Sequence, residues 1–140
     1  MRILEQYMEC MKKGDNIGLA DLFNEKGILH DTSFLKLNKD IMHLEGKMAI
    51  EMMFHQRFGF NGGPFPITNT VHKADDNVCY FIEYGDRVVP VTAYITEIDE
   101  DGKIMRLDIF PCNSGKRGGS PQSRGKSPLF LSVKYCFPLL

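Results

Sequence analysis

Residues 7–31 read YMECMKKGDNIGLADLFNEKGILHD, and this stretch decides the fold. Upstream of it, Ile3 and Leu4 join Tyr7, Met8 and Met11 on one side of a helix over residues 2–13, the spacing that a 3.6-residue turn brings to a single face. Gly14 stops the helix, since glycine takes the left-handed conformation that commonly follows a last turn, and Lys12 and Lys13 suit its negative end. Asp15 or Asn16 caps a second helix with Ile17, Leu19, Ala20, Leu22 and Phe23, ending before Gly27. Ile28 to Thr32 follows as a short strand. Helix, Gly-Asp break, helix and strand aim Tyr7 and Asp31 at one place, and the rest of the chain reads as the walls of a pocket around them.

The totals bound what this pocket can be part of. A chain of 140 residues is one domain with one sizeable core. Its 43% hydrophobic and 25% charged content is that of a soluble globular protein. A net charge of -1 gives no global field for nucleic acid or acidic membrane. The early Glu5 and Glu9 exclude the basic, then apolar, start of a signal peptide, and no apolar run approaches the roughly 20 residues of a membrane span. Cys10, Cys79, Cys112 and Cys136 are scattered, with no close pair, which fits free thiols in a reducing cytoplasm.

Residues 33–45 show no period and read as a loop with at most a partial turn of helix. Gly46 opens a third helix in which Met48, Ala49, Met52, Met53 and Phe54 are the apolar positions as far as about Phe58, before the breaker run Gly59 to Pro64. From Phe65 the pattern is β. Strands are expected over 66–74, 78–84, 87–98 and 103–110, separated by Asp75-Asp76-Asn77, by the two-residue hairpin turn Gly85-Asp86 and by Glu100-Asp101-Gly102. Three helices followed by an antiparallel meander is an α+β order, with the helices on one face of a bent sheet. Residues 1–112 form this domain. Residues 113–140 begin as a Gly/Ser/Pro-rich linker and end in an apolar tail, either loosely attached or returning as an edge strand.

Alternation splits each strand into two faces. Val78, Tyr80, Ile82 and Tyr84 share one face of their strand, as do Leu107 and Ile109 of theirs. In residues 87–98, Thr92, Tyr94, Thr96 and Ile98 stand on one side and Val89, Val91, Ala93 and Ile95 on the other. Taking the Tyr94 side as the pocket side leaves an aliphatic back, which implies a covered sheet and, most simply, a second copy of the chain.

Tyr7, the Lys13-Gly14-Asp15 break, Leu22-Phe23, Asp31, Gly46 with Ala49-Ile50, Glu83-Tyr84 and Gly102-Lys103, in this order and spacing, resemble the ketosteroid isomerase-like and SnoaL-like branch of the NTF2-like superfamily over about residues 3–110. The resemblance implies a cone-shaped α+β (cystatin-like) fold: a curved, largely antiparallel sheet covered by three helices. It also implies a deep apolar pocket, no cofactor and a homodimer through the outer sheet face. It casts Asp31 as a proton-shuttling base and Tyr7 as the donor to a developing oxyanion. Tyr94 aligns with the aspartic acid that the isomerases keep protonated, a different donor at a different reach. Phe54 stands where a supporting tyrosine is frequent and cannot bond to Tyr7. A long segment between Asp31 and Gly46 reshapes the pocket mouth.

Proton abstraction next to a carbonyl needs a base near the carbon and donors at the oxygen, and an apolar pocket raises a carboxylate's basicity. Catalytic residues are therefore expected at Asp31, Tyr7 and Tyr94, with Phe54, Val78, Tyr80, Ile82, Leu107 and Ile109 lining a site for a small apolar carbonyl compound. Other readings stay open. Asp31 can simply cap a turn through Thr32 or Ser33, and Tyr7 and Tyr94 can be core or interface residues. His30 should face away from Asp31. His43, His55 and His72 have no paired metal spacing. Arg106 and Asp108 resemble part of the water-activating set of the limonene epoxide hydrolases, but fall on the outer face as an ion pair. Lys116, Arg117, Arg124 and Lys126 lack the interleaved aromatics of a nucleic-acid site. Three functions follow: a cofactor-independent isomerase, cyclase or dehydratase; a non-catalytic pocket for a small hydrophobic ligand; or a dimeric module with a filled core.

Overall fold

A computed structural model describes residues 2–37, 39–60 and 62–112 of the chain; the expected linker and tail at 113–140 lie outside the described residues. Helix α1, Ile3–Lys13, buries Leu4, Tyr7, Met8 and Met11, the face that its spacing predicts. Gly14 ends it at φ 77°, its N–H donating to Cys10 O at 2.9 Å, the left-handed cap that a side chain would strain. Helix α2 is only Asn16–Ala20, with Asp15 Oδ1 accepting from Gly18 N.

Leu22 and Phe23 are not helical, contrary to the spacing-based reading. Ile104 N donates to Leu22 O, and Phe23 opens strand β1, Phe23–Asp31. A pairing with the far end of the chain thus overrides the local helical pattern. Residues 33–45, expected as a loop, contain a 3-10 turn at Ser33–Leu37 and an edge strand β2, Met42–Glu45. Four residues are too few for a readable period, and pairing with β1 settles their conformation. Helix α3, Lys47–Phe60, follows Gly46, whose φ of 100° and 2.7 Å bond to Gly27 O turn the chain out of β2. It buries Ile50 and Phe54, while the expected apolar positions Met48 and Met52 face solvent.

Strands β3 (Ile67–Ala74), β4 (Asn77–Tyr84), β5 (Arg87–Ile98) and β6 (Ile104–Pro111) complete a six-stranded sheet in the order β2-β1-β6-β5-β4-β3. Of these neighbours, β1 and β6 run parallel and the others antiparallel. Register shifts within β3–β4, β5–β6 and β1–β6 bend the ribbon, as bulges do, and α+β is the architecture. Gly85 (φ 63°) closes the two-residue turn that pairs Tyr84 with Arg87.

That turn fixes which face of β5 looks inward. Residues directly opposite in an antiparallel pair share a face. Ile82 opposes Val89, Tyr80 opposes Val91 and Val78 opposes Ala93. Val89, Val91, Ala93 and Ile95 are therefore core, packed with Leu107 and Ile109. Tyr94 stands on the outer face, 38% exposed, between Asn77 and Asp108 in register. The two faces of β5 are thus the reverse of those expected from sequence. His30 is also on the outer side, its Nδ1 2.9 Å from His43 Nδ1, and Arg106 pairs with Asp108 there at 3.0 Å.

Candidate functional site

Between α1, α3 and the concave sheet lies a cavity of about 350 Å³. Asp31 and Tyr7 both line it, with Tyr80 and Tyr84 from β4, Phe54, Met53 and Arg57 from α3, and Ser33, Phe34, Lys39 and Met42 from the segment after β1. The expected lining residues Ile82 and Ile109 reach it as well. Val78 and Leu107, expected beside them, are fully buried in the core and do not line the cavity. Tyr94 does not reach it, being on the opposite side of the sheet.

The last residue of β1 carries the carboxyl group. Asp31 is 6% exposed. Its Oδ1 accepts from Ser33 N at 2.8 Å and from Ser33 Oγ at 2.6 Å, the turn cap that the Asp31-Thr32-Ser33 sequence offers. These bonds leave Oδ2 as the carboxyl oxygen not committed to the turn. Burial pushes the acid up to about 6, against the two Ser33 bonds, which pull it down.

The phenols are the second component. Tyr7 is 0% exposed, and its hydroxyl has no hydrogen-bond partner among the described residues. Burial, and next the nearby Asp31 and Tyr84, hold its pKa far above the usual phenol range. Tyr80 is raised by burial first and then by Tyr7 and Asp31. Tyr84 is raised by burial and by Asp31, with Arg57 acting in the opposite sense. All three phenols stay protonated donors at neutral pH. A buried hydroxyl with nothing to donate to costs about 1–3 kcal/mol, and buried polar groups left in that state are uncommon in native proteins.

The walls are aromatic. Phe65 packs edge-on against Phe54 and Tyr84, each at 6.5 Å between centroids, and Phe34 packs against Tyr84 at 5.7 Å. The Arg57 guanidinium lies 4.2 Å from the Phe65 ring centre. The basic pair Lys39 and Arg57, and the phenol of Tyr84, are site residues beyond those expected from sequence. Arg57 follows Met53 and Phe54 at helical neighbour spacing, the signal that places it on their face. Tyr84 shares a strand face with Tyr80 and Ile82. Lys39 lies in the stretch without period, which offers no such signal. Among the described residues no group of three or more His, Cys, Asp or Glu side chains is arranged to hold a metal ion.

Chemically, the chamber offers one carboxyl that changes protonation state near pH 6, phenolic donors around it, and largely apolar walls. No helix among the described residues is long and apolar enough to cross a membrane.

No family model matches the chain, and no curated protein matches it. Solved structures do. An NTF2-like protein from Mesorhizobium loti superposes with a TM-score of 0.59 at 16% identity, over 79% of this chain and 88% of that one. A SnoaL-like protein from Burkholderia thailandensis gives 0.53 at 9% identity, over 78% and 90%. A protein with a ketosteroid isomerase-like fold from Catenulispora acidiphila, solved in complex with trimethylamine, gives 0.53 at 16% identity, over 76% and 82%. With this sheet order, this cavity and these neighbours, the chain has the NTF2-like fold.

Proposed function

We propose that the cavity is a cofactor-independent proton-transfer site for an apolar carbonyl compound, and that the chain acts as an isomerase, cyclase or dehydratase. One observation carries the reading: a buried carboxyl of pKa about 6 shares its chamber with a buried phenol whose hydroxyl has no partner among the described residues. Asp31 Oδ2 takes a proton from the carbon next to the carbonyl. The C–H electron pair becomes a carbon–carbon double bond while the carbonyl pair moves onto oxygen. Tyr7 Oη donates to that oxygen as its charge grows, and Tyr80 and Tyr84 support it in a water-poor space where each donor counts for more. A base of pKa about 6 is ionised at neutral pH and stronger than an ordinary carboxylate, the compromise that general base catalysis favours. Tyr94, being outside the chamber, has no place in this step.

The test is exchange of deuterium from solvent into the enolisable position of an apolar ketone such as a Δ5-3-ketosteroid or a polyketide-like diketone. Wild-type protein should accelerate the exchange and Asp31→Asn should abolish it; undiminished exchange in the variant refutes the proposal.

A second reading is a non-catalytic pocket for a small hydrophobic ligand. It is favoured by the two Ser33 bonds, which give Asp31 a structural role of its own, and by the lack of a second acid among the described residues of the lining. Co-purifying ligand, identified by mass spectrometry and recovered unchanged, would select it. The module with a filled core is set aside, because the core contains a cavity.

The outer sheet face is proposed as a homodimer surface in either case. The aliphatic residues expected there are core, but Val71, Phe81 and Tyr94 stand exposed on it. Cys79 and Cys112, far apart in sequence, meet as hydrogen-bonded thiols on the outer face rather than standing scattered; neither they nor Cys10 are joined in a disulfide, and the reducing cytoplasm is the proposed setting.

A further inference from the structure

The cavity is acidic at one place and basic at another. Among the described residues of its lining, Asp31 is the one carboxylate, and Lys39 and Arg57 are the two cations. Lys39 is exposed and follows the 3-10 turn, its backbone N–H bonded to Phe34 O at 3.1 Å, so it stands at the mouth. Arg57 is half-buried in the last turn of α3, lying against Phe65. Arg57 lies over Phe65, Phe65 packs on Tyr84 and Tyr84 on Phe34, so aromatic rings run along the wall from the guanidinium to the segment that follows Asp31. Asp31 makes its hydrogen bonds to Ser33, and among the described residues it forms no ion pair with either cation. Between the two ends the walls are Phe34, Phe54, Met42 and Met53.

From this polarity we infer that the molecule the cavity takes is an apolar keto acid, its carboxylate held by Arg57 and Lys39 at the mouth and its ketone at Tyr7, with an enolisable methylene beside Asp31. A guanidinium presents a planar fork that matches a carboxylate, and one guanidinium with one ammonium suits a monoanion. At the roughly 30 Å³ that a water occupies, the chamber of about 350 Å³ has the volume of about a dozen water molecules. That is room for an aromatic or alicyclic body with both groups, and too little for a long lipid. The inference rests on the proton-transfer reading of Asp31 for its ketone half and on Arg57 and Lys39 for its carboxylate half. Arg57 and Lys39 are specificity residues in it, and neither enters the proton transfer. That step is balanced without a co-reactant, since the proton leaves carbon for Asp31 and returns from Asp31 to carbon.

The experiment uses 4-benzoylbutyrate and its neutral primary amide with the full chain, on the alkaline side of the Asp31 pKa. Calorimetry measures binding, and proton NMR in deuterium oxide measures exchange at the methylene next to the ketone. The acid should bind at least about tenfold tighter than the amide, as a charge-assisted pair requires. Arg57→Gln and Lys39→Gln should each weaken the acid by several-fold more than they weaken the amide. Asp31→Asn should bind the acid and exchange nothing. Equal binding of acid and amide, with Asp31-dependent exchange of both, overturns the carboxylate anchor and leaves proton transfer standing. A preference for the acid without exchange upholds the anchor and overturns proton transfer. Binding of neither compound overturns the inference. The comparison of acid with amide on wild-type protein decides the point even where Arg57→Gln fails to fold.

Discussion

Because burial dominates the surroundings of Asp31, ionising it costs more in the folded chain than in the unfolded one. Its pKa rises from 3.8 to about 6 on folding. The folded state therefore binds more protons between those values. The stability Asp31 contributes is complete below about pH 4 and is lost as pH rises through about 6. The shift corresponds to about 3 kcal/mol. Asn at position 31 keeps an oxygen for both Ser33 bonds and cannot ionise. Asp31→Asn is predicted to be more stable than wild type by about 1–3 kcal/mol above neutral pH, with the difference vanishing near pH 4. Guanidinium unfolding across that range measures it, and a variant less stable at high pH would contradict the account. Tyr7→Phe carries the companion prediction. Removing a buried hydroxyl that has no partner should leave thermal stability unchanged or raise it by about 1 kcal/mol. Methylene exchange should fall by about 10²-fold, as on loss of one oxyanion donor. A stability loss of about 2 kcal/mol would mean that the hydroxyl has a partner in solution. The burial of Tyr7 on a helix face and the place of Asp31 at a strand end before a turn are legible in the sequence, while their pairing in one site is what the resemblance implies. Arg57 is legible only in principle, through its spacing from Phe54.

Among the elements, β1 shows where local pattern loses to long-range pairing. Leu22 and Phe23 continue the apolar period of α2, yet Ile104 draws them into the sheet. Between Phe23 and Ile28 the register to β6 shifts, and Gly27 sits in that irregularity. A Cβ on Gly27 would stand 2.9 Å from Ile104 O and 3.0 Å from Asn24 O, both on the backbone and unable to retreat. Gly27→Ala should cost about 1–3 kcal/mol, the range for overpacking. Gly59, in the last turn of α3, is its control, since a Cβ there would meet no heavy atom within 4 Å. Gly59→Ala should be neutral or gain up to about 1 kcal/mol. Equal effects at both sites would show that close approach at the bulge does not matter. The reversal of β5 has a different origin. Alternation identifies two faces but not which one is inner. The two-residue turn at Gly85-Asp86 does identify it, because Tyr84 opposite Arg87 puts Val91 opposite Tyr80. Assigning Tyr94 to the pocket by resemblance overrides that register. The edge strand β2 is illegible for want of length.

For the molecule as a whole, the concave face is a chamber and the convex face carries exposed aromatics beside the outer pairs His30–His43 and Arg106–Asp108. If two chains associate through Phe81 and Tyr94, the wild-type protein sediments as a dimer. Tyr94→Glu, which sets a second negative charge opposite Asp108, should then sediment as a monomer with its cavity intact. A wild-type monomer would remove the dimer from the account. Most of the order of helices and strands is legible because the long strands of the meander alternate and α1 and α3 are followed by Gly14 and by a breaker run, whereas α2 runs into β1 without one. A pocket is expected from the sequence, but its mouth is not legible, since Ser33, Phe34, Lys39 and Met42 come from a stretch that only tertiary contacts order. The claim beneath the proposed chemistry is that Asp31 is an unusually weak acid inside this chamber. Carbon-13 NMR of the Asp31 side-chain carboxyl through a pH titration tests it most directly. The account predicts a midpoint about 6, and a midpoint at the ordinary aspartate value of about 4 would contradict it.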